Sequence, residues 1–245
     1  MIQVQAHRGA SAYAPENTLP AFELAVKMKA DGVENDIHIT TDYRYVVSHD
    51  DEIARTSTGQ GLISQNTYDY LNQFDYGYRD RFGSEFEGTK IPLLEEFMET
   101  VKDMEVINIE LKGPFNPQDR VKAIKSLYDI INHYKCVEKS MISSFELPLL
   151  KEIKELCPDL RTSLLYGHVL TPEETVAMVH KYDADFIHPA LSCVNKAIVD
   201  ECKKHGIGCN VWTVDSPEDI QTAIEMEPTG IITNVPDRVL KALGR

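Results

Sequence analysis

Charged side chains occupy alternate positions in two segments that otherwise resemble buried strands. GVENDIHI contains Glu34 and Asp36, and VINIELK contains Glu110 and Lys112. Side chains two residues apart on a strand lie on the same face, so each pair shares one face. Buried carboxylates need a neutralising partner. Two partners fit the pattern: a hard divalent cation, Mg²⁺ or Ca²⁺, which prefers oxygen ligands, or an internal salt-bridge network that includes Arg8 and Lys112.

Two histidines end extended segments and are followed by charged residues. His7 precedes Arg8 in IQVQAHRG, and His49 precedes Asp50 in YRYVVSHD. An imidazole titrates near neutral pH and suits proton transfer, and a guanidinium suits phosphate. Two histidines beside a metal would form a general acid/base pair. A structural role for either histidine is the alternative.

These candidate residues require a fold that brings several strand ends together. Eight short strand patterns alternate with helical patterns, which favours a parallel sheet covered by helices. The strand segments are IQVQA, VENDIHI, VINIEL, SMISSF, RTSLLY, DFIHP, GCNVWTV and GIITN. Eight such units in about 250 residues are typical of an α/β fold, the (β/α)8 TIM barrel, whose active sites lie at the C-terminal strand ends. An open doubly wound sheet is the alternative, although no Gly-x-Gly-x-x-Gly follows the first strand.

One segment interrupts the alternation. Residues 50–90 are polar and glycine-rich, and they precede the helix pattern IPLLEEFMETVKD. Loops of this length in a compact domain are usually functional or form a small module. We therefore predict a single catalytic TIM-barrel domain over residues 1–245, with residues 50–90 inserted after the second strand and lying over the barrel mouth. A later pattern predicts a helix over residues 117–134.

The composition limits the classes of partner. The 245 residues carry a formal net charge of −14, which disfavours nucleic acid and anionic membranes because both attract basic surfaces. An anionic small-molecule substrate would therefore need local cations.

No apolar run approaches the roughly 20 residues of a membrane span, and MIQVQAHRG lacks the pattern of a signal peptide. The five cysteines form no Cys-x-x-Cys pair, so we expect reduced thiols, a cytoplasmic location and no stable membrane insertion.

Four segments together resemble the glycerophosphodiester phosphodiesterases. They are AHRGASAYAPENTLPAF, GVENDIHITTDYRYVVSHDDEIARTSTGQG, INIELK, and VWTVDSPEDI followed by GIITNVPDRV. The resemblance implies a TIM barrel with a small insertion after the second strand. It also implies metal-dependent hydrolysis of glycerophosphodiesters to sn-glycerol 3-phosphate and an alcohol, a reaction of lipid and glycerol metabolism. Asn35, His38 and Asn234 differ from the family's more usual residues, and we assign no chemistry to these positions.

The resemblance implies a role for each motif residue. The general acid/base pair would be His7 and His49. The ligands of one divalent cation, either Mg²⁺ or Ca²⁺, would be Glu34, Asp36 and Glu110. The substrate contacts would be Arg8 and Lys112 at the phosphate and Trp212 beside the glycerol, although Trp212 would fit a core position equally well. The supporting residues would be Glu16 and Asn17.

Two other functions are consistent with parts of the sequence. A phospholipase D-like relative would act on lysophospholipids, and Tyr76, Tyr78 and Phe82 could accept a lipid tail or simply pack together. A non-catalytic binding barrel would be expected to lack part of the constellation, which is complete here. The sequence leaves open the headgroup, which histidine is the acid, whether water or a glycerol hydroxyl attacks phosphorus, and the oligomeric state, homo-oligomers included.

Overall fold

The computed structural model describes residues 1–113 and 119–245, and in these ranges the strands close into a barrel. The hydrogen-bonded order of the parallel strands begins at β1, passes through β9, β8, β7, β6, β5 and β4, and reaches β2. These strands are β1 (Gln3–His7), β2 (Gly32–Ile39), β4 (Val106–Leu111), β5 (Ser140–Ser144), β6 (Arg161–Tyr166), β7 (Phe186–Pro189), β8 (Gly208–Val211) and β9 (Gly230–Thr233). A pairing between β1 and β2 closes the ring, which confirms the predicted TIM barrel.

Helices cover the outside of this barrel. They are α1 (Leu19–Lys27), α4 (Leu94–Val101), α5 (Arg120–His133), α6 (Leu147–Leu156), α7 (Pro172–Tyr182), α8 (Lys196–Lys204), α9 (Pro217–Met226) and α10 (Pro236–Ala242). Of the helix predicted over residues 117–134, positions 117 and 118 lie outside the described residues. Among the described helices, none has the length and hydropathy needed to span a bilayer.

Local sequence signals determine several helix starts. At α7, the Thr171 hydroxyl accepts a hydrogen bond from the Glu174 N–H at 3.2 Å, and the Glu174 carboxylate accepts one from the Thr171 N–H at 2.8 Å. This reciprocal pair is a capping box, which satisfies N–H groups that have no partner inside the helix. Proline in the first turn starts the same helix without losing a hydrogen bond.

Alternation along the strands divides apolar from polar side chains. On β4, Ile107 and Ile109 are fully buried in the large hydrophobic cluster that also contains helix residues. Asn108 and Glu110 lie on the other face and line a cavity inside the barrel. The same period of two therefore builds the core with one face of the strand and the site with the other.

The segment after β2 forms a small unit of its own. A ninth strand, β3 (Tyr45–Val47), pairs antiparallel with β2, and residues 50–90 follow it with two short helices, α2 (Tyr68–Leu71) and α3 (Arg79–Phe82). Apolar side chains of β3, of this segment and of the residue that follows it form a second, small cluster, which comprises Val46, Ile53, Ile63, Leu71, Tyr76 and Ile91. Aromatic rings of the segment contact one another, with the Tyr78 and Phe82 centroids 6.3 Å apart.

Candidate active site

A cavity of about 140 Å³ opens inside the barrel at the C-terminal ends of the strands. Its charged and titratable lining comprises His7, Arg8, Glu34, His49, Glu110, Lys112 and His188. His7 and Arg8 lie at the end of β1, Glu110 and Lys112 lie at the end of β4, and His49 lies in the turn after β3. Glu34 lies within β2 and His188 within β7. The structure therefore brings together most of the residues predicted to do chemistry, although their roles stay predictions.

Strand register brings the three predicted metal ligands together. Asp36 on β2 lies opposite Glu110 on β4, and Glu34 on β2 lies opposite His7 on β1. One carboxylate oxygen from each of Glu34, Asp36 and Glu110 lies within 4.8 Å of the other two. Glu34 and Glu110 line the cavity, whereas Asp36 is buried behind them. All-oxygen donors at this spacing match the preference of Mg²⁺ and Ca²⁺.

Two side-chain cations lie among these carboxylates. The Lys112 ammonium is 2.9 Å from Asp36 Oδ1 and 2.5 Å from Glu110 Oε1. The Arg8 guanidinium is 3.4 Å from Asp36 Oδ2. When all three carboxyl groups are ionised, they carry three negative charges against these two cations, so the salt-bridge network considered from the sequence exists but leaves one negative charge. The residual charge favours the binding of a further cation.

Burial and the neighbouring charges give the three carboxyl groups of this cluster different pKa values. Burial, followed by repulsion from Asp36, raises the pKa of Glu34 and raises that of Glu110 to about 7. Burial also acts to raise the pKa of Asp36, but the cations of Lys112 and Arg8 outweigh it and hold that pKa below its usual range. Asp36 is therefore ionised near neutral pH, and a divalent cation would stabilise the ionised forms of the other two carboxyl groups.

The turn after β1 adopts backbone conformations that few residues tolerate. Arg8 and Gly9 have φ angles of 56° and 80°, both in the left-handed region. A Cβ on Gly9 would lie 2.6 Å from the backbone carbon of Ala21, so only glycine fits there. The turn directs Arg8 back towards β2, where its N–H donates to Glu34 Oε2 at 3.1 Å.

His7 lies at the end of β1 between two polar neighbours. Its Nδ1 is 2.8 Å from Oδ1 of Asn234, and its Nε2 is 3.9 Å from Oε2 of Glu34. Burial, reinforced by the Arg8 cation, lowers the pKa of His7 to about 4. The ring is therefore neutral at physiological pH and can accept a proton.

His49 follows β3 and is held by a different kind of partner. Its Nδ1 is 2.7 Å from Oδ1 of Asp50, and Oδ2 of Asp50 accepts a hydrogen bond from Arg55 Nε at 2.5 Å. Arg55 also donates to both carboxylate oxygens of Glu16, at 2.8 Å and 3.0 Å. Glu16 in turn accepts from Arg8 at 2.8 Å. A continuous chain of hydrogen bonds and ion pairs therefore connects His49 to Arg8.

The two predicted supporting residues lie behind the cavity. Asn17 donates from Nδ2 to Asp36 Oδ2 at 2.8 Å and accepts from the Asp36 N–H at 3.3 Å. Glu16 contacts Arg8 and Arg55, as above. Neither Glu16 nor Asn17 lines the cavity, and each bonds to a charged side chain of the site.

Trp212 lies immediately after β8 and forms part of an apolar wall of the cavity. Its indole N–H donates to the His188 carbonyl at 2.7 Å, and its ring meets the Phe145 ring edge-on, with centroids 6.0 Å apart. Leu165 and Ile232 extend the same wall. The wall faces the charged side of the cavity, which suits a molecule that has both an anionic group and a carbon chain.

Several residues near the site carry no predicted role in the sequence. Asn108, Ser143 and His188 add polar atoms to the cavity lining, and the pKa of His188 is lowered to about 3 by burial. Asn234 and Asp50 hold the two histidines. A usable signal was present for Asn234, because it is the last residue of the strand pattern GIITN, and the predicted residue Lys112 likewise lies at the end of a strand pattern.

The chain is similar along nearly its whole length to known enzymes. The model of the Glycerophosphoryl diester phosphodiesterase family matches residues 7–238. A glycerophosphodiester phosphodiesterase of Caldanaerobacter subterraneus subsp. tengcongensis is 35% identical over 243 residues, which cover 97% of this chain and 96% of the relative. A protein of the same name from Bacillus altitudinis is 31% identical over 252 residues, which cover 98% of each chain. These similarities confirm the resemblance seen in the motifs.

Solved structures of similar proteins share the fold. A phosphodiesterase of Oleispira antarctica, solved in complex with the product sn-glycerol-3-phosphate, has a TM-score of 0.88 and 25% identity over 99% of this chain and 97% of its own. A glycerophosphodiester phosphodiesterase of Thermotoga maritima has a TM-score of 0.78 and 29% identity over 99% of this chain and 98% of its own.

Proposed function

This chain belongs to the glycerophosphoryl diester phosphodiesterase family and is a phosphoric diester hydrolase, and we propose that it hydrolyses glycerophosphodiesters to sn-glycerol 3-phosphate and an alcohol. The observation that carries the proposal is a single cavity that brings His7 and His49 together with the carboxylate cluster and two side-chain cations, Arg8 and Lys112. The relative from Oleispira antarctica, which was solved with sn-glycerol-3-phosphate, supports the same product.

The carboxylate cluster would hold one divalent cation, Mg²⁺ or Ca²⁺. Glu34, Asp36 and Glu110 supply oxygen donors within 4.8 Å of one another, and Lys112 and Arg8 leave one negative charge uncompensated when all three carboxyl groups are ionised. When bound, the cation would act as a Lewis acid and a template for the phosphoryl group.

The two histidines would transfer the protons. Hydrolysis removes a proton from water as its oxygen bonds to phosphorus, and it delivers a proton to the alcohol oxygen as that oxygen leaves. His7 and His49 both line the cavity. Each ring has its Nδ1 hydrogen-bonded to a protein side chain, which leaves Nε2 for the substrate. We assign the general acid/base pair to them on this basis.

The remaining side chains would bind and orient the substrate. Arg8 and Lys112 are largely buried cations at the cavity wall, and such groups stabilise charge on a phosphoryl group. The ring of Trp212 would pack against the glycerol carbons. Glu16 and Asn17 would support the site through Arg8 and Asp36.

Features outside the cavity bear on the domain organisation, the location and the partner of this enzyme. We propose that residues 50–90 are an insertion over the barrel mouth within one catalytic domain, because Arg55 of this segment bonds to Glu16 beside the site. The five cysteines are free and buried, which agrees with a cytoplasmic enzyme. The partner would be a small-molecule diester and not nucleic acid, since the net charge is −14 and two largely buried cations, Arg8 and Lys112, line the cavity.

The direct test measures release of sn-glycerol 3-phosphate from glycerophosphocholine after EDTA treatment and after adding back Mg²⁺ or Ca²⁺. We expect EDTA to abolish turnover and one of the cations to restore it. The variant Glu34→Gln should need a higher cation concentration for half-maximal turnover. Glu105→Gln, a matched change at an exposed position just before β4, should not.

Parallel assays separate this function from its relatives. Lysophosphatidylcholine is offered under the same conditions, together with glycerophosphodiesters that carry other headgroups. Release of choline from the lysolipid alone would favour the phospholipase D-like function. No product from any diester with either cation would overturn the proposal.

A further inference from the structure

The amide of Asn234 lies between a carboxylate and the His7 ring. Asn234 directly follows β9, Asp215 follows β8, and His7 ends β1, so three neighbouring strand ends bring them together. The Asn234 Nδ2 is 2.5 Å from Asp215 Oδ2. On the other side, the Asn234 Oδ1 is 2.8 Å from His7 Nδ1 and 2.6 Å from the Ser11 hydroxyl.

The chemistry of these groups allows one arrangement of protons. An ionised carboxylate only accepts hydrogen bonds, so the amide NH₂ must face Asp215 and the amide oxygen must face His7. An amide oxygen also only accepts, so His7 Nδ1 must carry the hydrogen. In the neutral ring, Nε2 then holds the lone pair, and Nε2 is the atom on the Glu34 side of the cavity.

We propose that Asn234, oriented by Asp215, is a positioning residue that holds His7 as the Nδ1–H tautomer with an unprotonated Nε2 facing the substrate. The proposal rests on the proposed function for its catalytic consequence. The opposite tautomer would direct an N–H at the water or hydroxyl that must lose its proton, and the ring could not act as a base.

Asp215 is itself held, so it can fix the amide. Its Oδ1 accepts from the Asn234 backbone N–H at 2.8 Å and from the Thr233 hydroxyl at 3.0 Å. These bonds keep Oδ2 directed at the Asn234 side chain. Orientation therefore passes from the backbone to the carboxylate, from the carboxylate to the amide, and from the amide to the imidazole.

The variant Asp215→Asn should reverse the orientation of the Asn234 amide. The introduced amide oxygen would stay on the backbone N–H, which leaves its NH₂ facing the Asn234 side chain. The Asn234 amide must then turn and direct its own NH₂ at His7 Nδ1, which favours the Nε2–H tautomer. We expect kcat to fall by up to the roughly 10²–10⁴-fold that a lost general base costs, with KM largely unchanged.

The double variant Asp215→Asn/Asn234→Asp is the rescue. A carboxylate at position 234 accepts from the amide introduced at 215 and from His7 Nδ1–H, so the original tautomer is restored. We expect the double variant to regain most of the kcat lost in Asp215→Asn. A matched control is Asp237→Asn, which makes the same chemical change at a surface contact with Tyr13 and should leave kcat unchanged.

The tautomer is read directly from the ¹⁵N NMR signals of the histidine ring, with the His7 signals identified by their loss in His7→Ala. This reading does not depend on activity, so it remains decisive even if the proposed substrate is wrong. We expect Nδ1–H in the parent and double variant and a shift to Nε2–H in Asp215→Asn. An unchanged Nδ1–H tautomer in folded Asp215→Asn, or a double variant no more active than this single variant, would overturn the proposal.

Discussion

His7 and His49 carry the same side chain but have different neighbours. His7 is largely buried and its Nδ1 lies beside the Asn234 amide. The Nδ1 of His49 lies beside the Asp50 carboxylate, which is partly exposed and pairs with Arg55. Burial and the Arg8 cation lower the pKa of His7 to about 4, so its ring stays neutral through the physiological range. The two histidines are therefore not interchangeable, even though both line the cavity.

Replacing either histidine should remove one proton-transfer step. We expect His7→Ala and His49→Ala each to lower kcat by roughly 10²–10⁴-fold, measured with glycerophosphocholine at saturating cation. His168→Ala changes an exposed histidine outside the cavity lining and should keep parent activity. Full turnover in either site variant would remove that histidine from the mechanism.

The raised pKa of Glu110 predicts a pH dependence of stability in the cation-free protein. Burial and the nearby Asp36 raise this pKa from 4.5 to about 7. Between these pH values the folded chain keeps a proton that the unfolded chain has released, so the free energy of unfolding falls as pH rises. Urea unfolding in EDTA at pH 5 and pH 7.5 should show this fall, and Glu110→Gln should reduce it.

The control for this prediction is Glu105→Gln, since Glu105 is exposed. Its stability should show the same dependence on pH as that of the parent protein. An equal fall in Glu110→Gln and the parent would contradict the assignment of the raised pKa to Glu110.

At the residue scale, the sequence identified the side chains that end strands but not all of their partners. The spacing in GVENDIHI and VINIELK put the three carboxylates on shared faces, and the register of β2 and β4 agrees with that arrangement. Asn234 contacts His7 across 227 positions of sequence. Such a contact depends on which strand ends are neighbours, so it follows only once the order of strands is known.

At the element scale, the segment 50–90 meets the site through the side chains of Asp50 and Arg55. Arg55 lies in a short turn, Ile53–Arg55, and bonds to Glu16 after β1 and to Asp50 beside His49. Arg55→Gln should therefore lower kcat, by up to roughly 10²-fold, because small displacements of catalytic groups are costly. Arg55→Lys keeps the positive charge but lacks the planar guanidinium, so its kcat should lie between that of the parent protein and that of Arg55→Gln.

The matched control for Arg55 is in the same segment. Arg79 pairs with Glu87 at the surface, so Arg79→Gln should leave kcat unchanged. Steady-state kinetics of the three variants, with circular dichroism to verify folding, make the comparison. Equal activity of Arg55→Gln and Arg79→Gln would show that the segment does not position the site through Arg55.

Element types followed well from the sequence, and their boundaries followed less well. The helix predicted from Ile91 begins at Leu94. Proline at position 92 disfavours helical backbone at the preceding residue, its carbonyl accepts a hydrogen bond from Val47, and Ile91 packs in the small cluster instead. β8 ends at Val211, three residues earlier than predicted. The effect of Pro92 is local, but the contacts of Pro92 with Val47 and of Ile91 with the small cluster join distant segments, and the pattern of one segment does not contain them.

At the scale of the whole molecule, two hydrophobic clusters of unequal size stabilise the chain. The large cluster joins the barrel strands to the surrounding helices, whereas the small one, within and beside residues 50–90, has six fully buried members. Regions with few buried apolar contacts open at lower free energy. Hydrogen exchange should therefore show that amides of Ile63 and Leu71 exchange before those of β4.

This exchange experiment has an internal comparison in the same sample. The amides of Ile107 and Ile109 report the barrel, and those of Ile63 and Leu71 report the segment. Their order should persist at several denaturant concentrations, because the segment can open without the barrel. Equal protection of both sets would mean that the chain unfolds as one cooperative unit.

All five cysteines are buried and none forms a disulfide, so the reactivity of the thiols distinguishes folded from unfolded chains. Burial raises the pKa of the thiols of Cys136, Cys157, Cys202 and Cys209, and alkylating reagents react with the thiolate. A short pulse of iodoacetamide should leave folded molecules unlabelled and add five groups to each unfolded one. Intact mass spectrometry would then count the folded fraction in a crude extract, with no substrate, tag or purified enzyme.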